Sequence, residues 1–486
     1  MKYNKLINLF ILFLAVFLIC IQVWLERFFG KVDIEQFIIF ISFGINGLLD
    51  AEDYIINKFI EICLYFPIAF ILLYIVLFKS IFLFDKKYFK LNLPKKINKY
   101  QVLFSVLLFS FSIYNLSKNM SVKDFLSKDN NHDLIKENYT KPNLKNFENV
   151  HTQQDLVLIY LESMENSFLN NNLISKSSID NFELKSFNAK GFPEFNQTKY
   201  NNWTIGGIIS TQCGVPQKPV GIIDTRRKGF QGNRRVFGLK NFLPNIHCLG
   251  DLLKLSNYHN VFINAVDLNF QAMGAFLGQH GYDELIGKKY FDNLYGSNKS
   301  ETWGGGVNDS KLFELAKKKI IKLKKEKKRF NVTLLTTDTH DPGYIDDNCN
   351  INFEEGTNKL IRAISCTSHE LNKFVKFIYD NYPNDTSIVI MGDHLYTHME
   401  RYTIVESKRF IYNKIISKNI NLYRKNINHF DFFPTILNIL NFNFNGKLGL
   451  GYTAVKKINL DFYNAYSKNL ERNIGNKSDY YNEFWK

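Results

Sequence analysis

Residues 5–25 (KLINLFILFLAVFLICIQVWL) are an almost unbroken apolar run, long enough as a helix to cross a hydrocarbon layer and closed by Trp24, a side chain suited to the interface. No small-residue cleavage site follows, and Ile19 stands before Cys20 where a lipoprotein signal wants a small residue, so the run is expected to stay as an anchor. Residues 34–49 are apolar but short and broken by glycine, which reads as interfacial or re-entrant. Residues 58–84 predict a second span and 100–116 a third, slightly short one. Between these two, Asp85–Lys99 carries Lys86, Lys87, Lys90, Lys95, Lys96 and Lys99, a loop the positive-inside rule places in the cytoplasm. With Lys2 and Lys5 putting the start inside as well, about three transmembrane helices in residues 1–116 leave the rest of the chain outside. Residues 117–154 are polar and without apolar period, and read as a tether.

From residue 155 to 486 the pattern alternates. Short apolar runs at Asp155–Glu162, His259–Asp267, Phe330–Asp338 and Ser387–Asp393 predict buried strands. Helical patterns lie between and after them at Cys248–Ser256, Asp309–Lys325, Asn358–Tyr382 and Asp431–Leu440. Near-continuous apolar strands separated by helices predict an α/β domain with a mainly parallel central sheet covered on both faces. The basic run Lys317–Arg329 reads as a solvated helix end.

Charge and cysteine content sharpen this. Lys+Arg 61 against Asp+Glu 46 gives a net charge of +15, which suits an anionic partner; the spans make that a membrane surface and not a nucleic acid. Cys20 and Cys63 fall in the apolar runs. The other four of the six cysteines lie in the later domain, compatible with two disulfides in an oxidising compartment or with four reduced thiols. Outside the cytoplasm the expected pairing is Cys213–Cys248 and Cys349–Cys366, which closes the two shorter loops. The absence of any CxxC argues against a thiolate zinc site.

The candidate chemistry centres on Asn201–Pro216 (NNWTIGGIISTQCGVP). Thr204 stands where an N-cap would stand, among unpaired N–H groups at the positive end of a helix, a place that welcomes phosphate. Alone it reads equally as an ordinary capped helix. Its company changes that, because all four predicted strands end on a carboxylate: Glu162, Asp267, Asp338 and Asp393. In an open α/β sheet the ligand site lies beyond the carboxyl ends of the strands. His394 directly after Asp393, and His340 two residues after Asp338, complete a donor set for a divalent cation. Such a cation would lower the pKa of the Thr204 hydroxyl and make it a nucleophile for phosphoryl chemistry.

These stretches resemble the sulfatase-fold membrane transferases of the alkaline phosphatase superfamily, most of all the phosphoglycerol transferase I branch, related to lipoteichoic acid synthases. The resemblance covers roughly residues 155–455 and rests on LIYLESMENSF (158–168), residues 201–216, residues 248–284, LLTTDTHDP (334–342), MGDHL (391–395) and HFDFFPTILNIL (429–440). It implies a sulfatase-like fold, with Glu162, Thr204, Asp393 and His394 holding one divalent metal ion, Mn2+ or Zn2+. Thr204 is then the nucleophile that carries the transferred group, and His340 contacts phosphate or the leaving group. Asp341 departs from the second histidine or serine-like neighbour expected there. The implied function is transfer of glycerophosphate from phosphatidylglycerol to a periplasmic or cell-surface glycan, at the bacterial inner membrane with the catalytic domain facing the periplasm. The alternative is phosphoethanolamine transfer from phosphatidylethanolamine to a lipid or glycan. A sulfatase or phosphodiesterase is less well supported, since Thr204-Ile205-Gly206-Gly207 lacks the C/S-x-P-x-R setting of formylglycine enzymes, and a catalytically dead scaffold would not need all five key positions. His280, His369, His398 and His429 read as core or surface histidines. Trp203 and Trp303 are core residues or a stacking surface for a glycan, and Arg226, Arg227, Arg234 and Arg235 are a solvated loop or a lipid-headgroup contact.

Overall fold

A computed structural model describes residues 2–30, 32–42, 53–84, 93–126, 133–150, 154–170, 173–218, 241–296, 302–402, 408–418 and 420–486. The lysine-rich loop up to residue 92, residues 43–49 of the interfacial segment and the arginine loop 226–235 lie outside the described residues. The chain divides into two compact units, with the boundary near residue 128.

The first unit is helical. Among the described residues three helices are long and apolar enough to cross a membrane, at Leu6–Phe29, Ile56–Ile81 and Tyr100–Asn119. The third exceeds its expected length because its helix runs from Leu93 to Asn119, with lysines and asparagines extending the apolar stretch at both ends. Polar side chains tie the first helix to the third: the Ser112 hydroxyl donates to the Ala15 carbonyl at 3.0 Å, and the Asn115 amide to Gln22 at 2.9 Å. Such bonds are the attachments available between helices whose remaining surface is apolar. Leu72, Val76 and Leu107 are more than half exposed, as a lipid-facing surface requires. A further helix, Ile34–Ser42, occupies the first part of the interfacial segment.

The second unit is built on a six-stranded sheet. Its strands are β1 (Asp155–Leu161), β2 (His259–Asn264), β3 (Glu284–Ile286), β4 (Phe330–Leu335), β5 (Thr386–Gly392) and β6 (Asn413–Ile416). They are ordered β3-β2-β4-β1-β5-β6, all parallel except β6, which runs antiparallel at the edge. β1 is buried on both faces. Leu156, Leu158 and Tyr160 enter one hydrophobic core, and Val157, Ile159 and Leu161 enter another across the sheet. That is why its sequence is continuously apolar and not alternating. The helices Leu249–Leu255, Asp309–Lys325, Lys359–Asn381 and His429–Ile439 lie within one or two residues of their predicted bounds. β3 and β6 were not expected. Three or four residues give too short a pattern to register.

The stretch read as a tether is partly folded. Leu134, Ile135 and Phe147 are buried in the core of the second unit, and Thr140 bridges Gly449. Three apolar residues spaced irregularly among polar ones give no period, so nothing in the pattern reveals that they are clamped. Both expected disulfides are present, Cys213–Cys248 and Cys349–Cys366, while Cys20 and Cys63 are free.

The helix Thr204–Cys213 is wholly buried and approaches the end of β5 closely. A Cβ at Gly207 would lie 2.2 Å from the Asp393 carbonyl oxygen, a backbone atom that cannot swing aside. Gly207→Ala is therefore expected to push helix and strand end apart and cost a few kcal/mol, in the range of overpacking substitutions. Thermal denaturation should show the loss, and an unchanged melting temperature would contradict the close packing.

Candidate active site

The register of the sheet assembles the site. β1 and β5 pair so that Leu161 lies beside Gly392, which brings the next residue of each, Glu162 and Asp393, side by side just past the strand ends. Both are buried, as are His394 and Thr204. Glu162, Asp393 and His394 each turn one ligand-type atom into a common space, all within 4.8 Å of one another. The Thr204 hydroxyl donates to Glu162 Oε2 at 3.2 Å. Thr204 is the first residue of its helix and not its cap. Trp203 takes the extended N-cap conformation, φ −150° and ψ 159°, and offers no capping side chain. The threonine hydroxyl is thus turned to the carboxylate and not consumed by a backbone N–H.

Hydrogen bonds fix the ligand atoms. Asp393 Oδ1 accepts from the Ser163 and His394 N–H groups at 2.8 and 2.9 Å, and the Ser163 hydroxyl donates to Glu162 Oε1 at 2.7 Å. His394 Nδ1 lies 2.9 Å from the Leu395 carbonyl, which can only accept, so the proton sits on Nδ1 and Nε2 presents a lone pair. That nitrogen is 3.5 Å from both Glu162 Oε1 and Asp393 Oδ2. Asp393 Oδ2 is buried without a hydrogen-bond donor. Burial, followed by the Glu162 charge, raises the Asp393 pKa to about 7. For His394 burial works against protonation, yet the Asp393 and Glu162 charges prevail and raise its pKa. An orphaned carboxylate oxygen, a second carboxylate and an imidazole lone pair converging in a buried space fit a divalent cation of the Mn2+ or Zn2+ type.

His340 sits half-buried on the loop after β4, with Nδ1 donating to the Asp341 carbonyl at 3.0 Å and Nε2 left for a ligand. It is near enough to Glu162 for its charge to help lower the Glu162 pKa, against burial and alongside His394. Its ring is stacked on Trp303, centroids 4.5 Å apart and 28° between planes, and Trp303 in turn meets Phe270 edge-on. Trp303 therefore fixes the plane of His340. Only the pairing in space, not any sequence spacing, shows this. Asp341 is held by Tyr396, whose hydroxyl donates to Oδ1 at 2.5 Å, and by Arg401, whose Nη1 donates to both oxygens at 2.8 and 2.9 Å. The departure at this position is thus matched by an ion pair that pins the His340 loop.

Two of the four expected carboxylates do not join the cluster. β2 ends at Asn264 and β4 at Leu335, so Asp267 and Asp338 lie three residues past their strands and turn away. Asp267 accepts from the Asn269 N–H at 2.7 Å, closing a turn. Asp338 is buried against Asn308 and the Asp309 N–H, and burial with the Asp309 charge raises its pKa well above the usual carboxylate range. Among the unassigned histidines, His429 lies directly behind the site, its Nε2 2.9 Å from the Asp393 carbonyl. Burial drives its pKa down to about 3, so it is neutral and donates that proton. His280 is satisfied on both nitrogens, by Asp251 and the Phe242 carbonyl, and the neighbouring Cys248 sulfur is engaged in its disulfide, which leaves no metal site there. His398 is buried, His369 half-buried on its helix, and Trp203 is core. Glu165 escaped the sequence reading. It is fully buried and neutralised by Arg409, whose Nε donates to Oε1 at 2.9 Å, so it anchors the turn after β1.

The second unit is thus a mainly parallel α/β domain with a hydroxyl beside a buried cation-type donor set at the carboxyl edge of its sheet. Residues 154–442 match the sequence model of the Sulfatase family, and the chain belongs to that family. Phosphoglycerol transferase I of Escherichia coli O127:H6 is 32% identical over 246 residues, covering 50% of this chain and 31% of the relative. The enzyme of the same name from Salmonella agona is 31% identical over 250 residues, again 50% and 31%. The match thus spans about a third of the length of these curated relatives. A lipoteichoic acid synthase from Listeria monocytogenes superposes with a TM-score of 0.49 at 16% identity, covering 66% of this chain and 80% of that one.

The donor set generates a direct expectation. Adding Mn2+ or Zn2+ to the metal-stripped protein should raise its melting temperature, because a ligand that binds only the folded state stabilises it by about 2.7 kcal/mol at a hundredfold excess over Kd. Asp393→Asn keeps the acceptor that Ser163 and His394 use but removes the orphaned charge, so its melting temperature should no longer respond. An equal response in both proteins would place the cation elsewhere.

Proposed function

We propose that the protein is a membrane-anchored phosphoglycerol transferase, moving glycerophosphate from phosphatidylglycerol to a hydroxyl of an extracytoplasmic glycan through a covalent intermediate on Thr204. The observation that carries this is the Thr204 hydroxyl held on Glu162 beside the Asp393–His394 donor set. The similarity to enzymes named phosphoglycerol transferase I supports the choice of group. A divalent cation bound by Glu162, Asp393, His394 and Thr204 supplies charge neutralisation that lowers the pKa of the hydroxyl and offsets charge on the phosphoryl oxygens.

The residues of the chain then divide the work. Thr204 Oγ1 loses its proton to solvent water and forms a bond to phosphorus. The bond from phosphorus to the diacylglycerol oxygen breaks, and protonated His340 gives that oxygen a proton. In the second half the glycan hydroxyl loses its proton to neutral His340 and attacks phosphorus. Oγ1 leaves and takes up a proton from solvent water. Trp303 keeps His340 in plane through both halves, and Arg401 with Tyr396 keeps its loop in place.

Thr204→Ala should abolish transfer while leaving the fold intact, since no cap is lost. Incubating the wild-type protein with phosphatidylglycerol and digesting it should show a glycerophosphate mass on the peptide containing Thr204. An ethanolamine phosphate adduct formed from phosphatidylethanolamine instead would move the assignment to a phosphoethanolamine transferase, and undiminished transfer by Thr204→Ala would sink the mechanism.

The reading also places residues 117–486 outside the cytoplasm. Alkaline phosphatase fused after Lys486 should be active in cells. Activity only of a cytoplasm-dependent reporter at the same point would mean an even number of crossings.

A further inference from the structure

The N–H of Ile205, the residue after the nucleophile, does not go unpaired. As one of the first N–H groups of its helix it has no partner within the helix, and Trp203 supplies no capping side chain. A residue from a distant part of the chain fills the gap: Gln271 Oε1 accepts from Ile205 N at 3.0 Å. Gln271 lies on the short segment between β2 and β3, and both it (φ 50°, ψ 23°) and Ala272 (φ 56°, ψ 26°) are left-handed. Two consecutive non-glycine residues in that region are strained, because Cβ crowds the following carbonyl there. Turn bonds hold them there, Ala272 N to the Asn269 carbonyl at 3.0 Å and Gly274 N to the Leu268 carbonyl at 2.7 Å.

The neighbouring residue, Phe270, meets Trp303 edge-on, and Trp303 stacks on His340. The segment therefore joins the wall that carries His340 to the helix that carries Thr204, with the Gln271 side chain reaching across at the nucleophile. Gln271 is partly exposed, and its Nε2 has no hydrogen-bond partner among the described residues. A donor phosphoryl oxygen arriving at the helix N-terminus is the natural acceptor for the Ile205 N–H. Once that bond changes hands, the carboxamide has an acceptor and two donors to offer beside the phosphate. A neutral group that both donates and accepts matches hydroxyls, whereas an ammonium headgroup calls for a carboxylate.

We propose that Gln271 is the headgroup-specificity residue of the donor site: the left-handed turn holds its carboxamide at the Thr204 helix, where it hydrogen-bonds the hydroxyls of a glycerol headgroup once the donor phosphate has taken over the Ile205 N–H. This rests on the phosphatidylglycerol reading above. Gln271 is also a stand-in for the substrate, satisfying the helix while the site is empty so that binding exchanges one acceptor for another and leaves no donor bare.

The test measures kcat/KM of the full-length protein in mixed micelles with phosphatidylglycerol and, separately, phosphatidylethanolamine, for wild type, Gln271→Leu and Gln271→Glu. Melting temperature and its response to Mn2+ are recorded for each. Loss of one or two hydrogen bonds to the headgroup should lower the phosphatidylglycerol to phosphatidylethanolamine ratio about tenfold in Gln271→Leu, through KM. Gln271→Glu should lower it further, since a carboxylate beside the phosphate repels the neutral-headgroup donor's anion and attracts the ammonium. Equal losses on both donors would reduce Gln271 to a helix cap and overturn the proposal, as would an unchanged ratio. A wild type inactive on phosphatidylglycerol overturns the parent reading and this proposal with it. The wild type thus reports on the donor, and the change on substitution reports on Gln271.

Discussion

One backbone oxygen, the carbonyl of Asp393, organises the catalytic end of the second unit. Gly207 packs against it so closely that no side chain fits between, and neutral His429 donates to it from behind at 2.9 Å. Its own residue is set beside Glu162 by the β1–β5 register. A helix, a strand end and a buried histidine therefore meet at a single atom, and the Thr204 hydroxyl and two cation-type ligands inherit their spacing from that junction. The neutrality of His429 matters. A charged imidazole there would add a cation behind a site already shaped for one, and burial prevents it.

The site is costly to build. Glu162, Asp393 and His394 are withdrawn from water, and among the described residues the opposing charges that bear on the two carboxylates come from histidines, His394 and, for Glu162, His340. Elsewhere in the same unit buried carboxylates are neutralised by the chain: Glu165 by Arg409, Asp431 by Arg424 at 3.1 Å, Asp155 by Arg329 and Lys324. Asp338 and Asp309, buried together without a base, are held by backbone N–H, amide and hydroxyl donors. At the strand ends next to Thr204 one carboxylate oxygen, Asp393 Oδ2, has neither a base nor a donor among the described residues, which is the electrostatic outline of an external cation.

Much of this was legible in the sequence, for identifiable reasons. Continuous apolar runs in β1 and β5 mark strands covered on both faces, and an acid one residue past each end is bound to land at the sheet edge. The same argument failed for Asp267 and Asp338 because polar or small residues end β2 and β4 early, and three further residues allow the chain to turn. Thr204 was placed one residue too early because a threonine before an apolar run looks like a cap, and nothing local shows that Trp203 takes that place. Gln271 and Glu165 were invisible as site or support residues, and Trp303 was singled out only as core or a glycan-stacking surface, not as the partner of His340. Each acts through a partner tens of residues or more away, and single-sequence patterning carries no information about such pairings.

The Cys213–Cys248 bond joins the last residue of the helix Thr204–Cys213 to the residue that opens the helix Leu249–Leu255, across a sequence separation of 35. Everything between these two cysteines begins and ends on the same covalent clamp. The closure entropy of such a stretch grows only slowly with its length. The described residues just inside the clamp are themselves core: Val215, Phe242 and Leu243 are fully buried, and Val215 accepts from Ser210 of the Thr204 helix, so both flanks of the stretch are tied to that helix by packing as well as by the covalent bond.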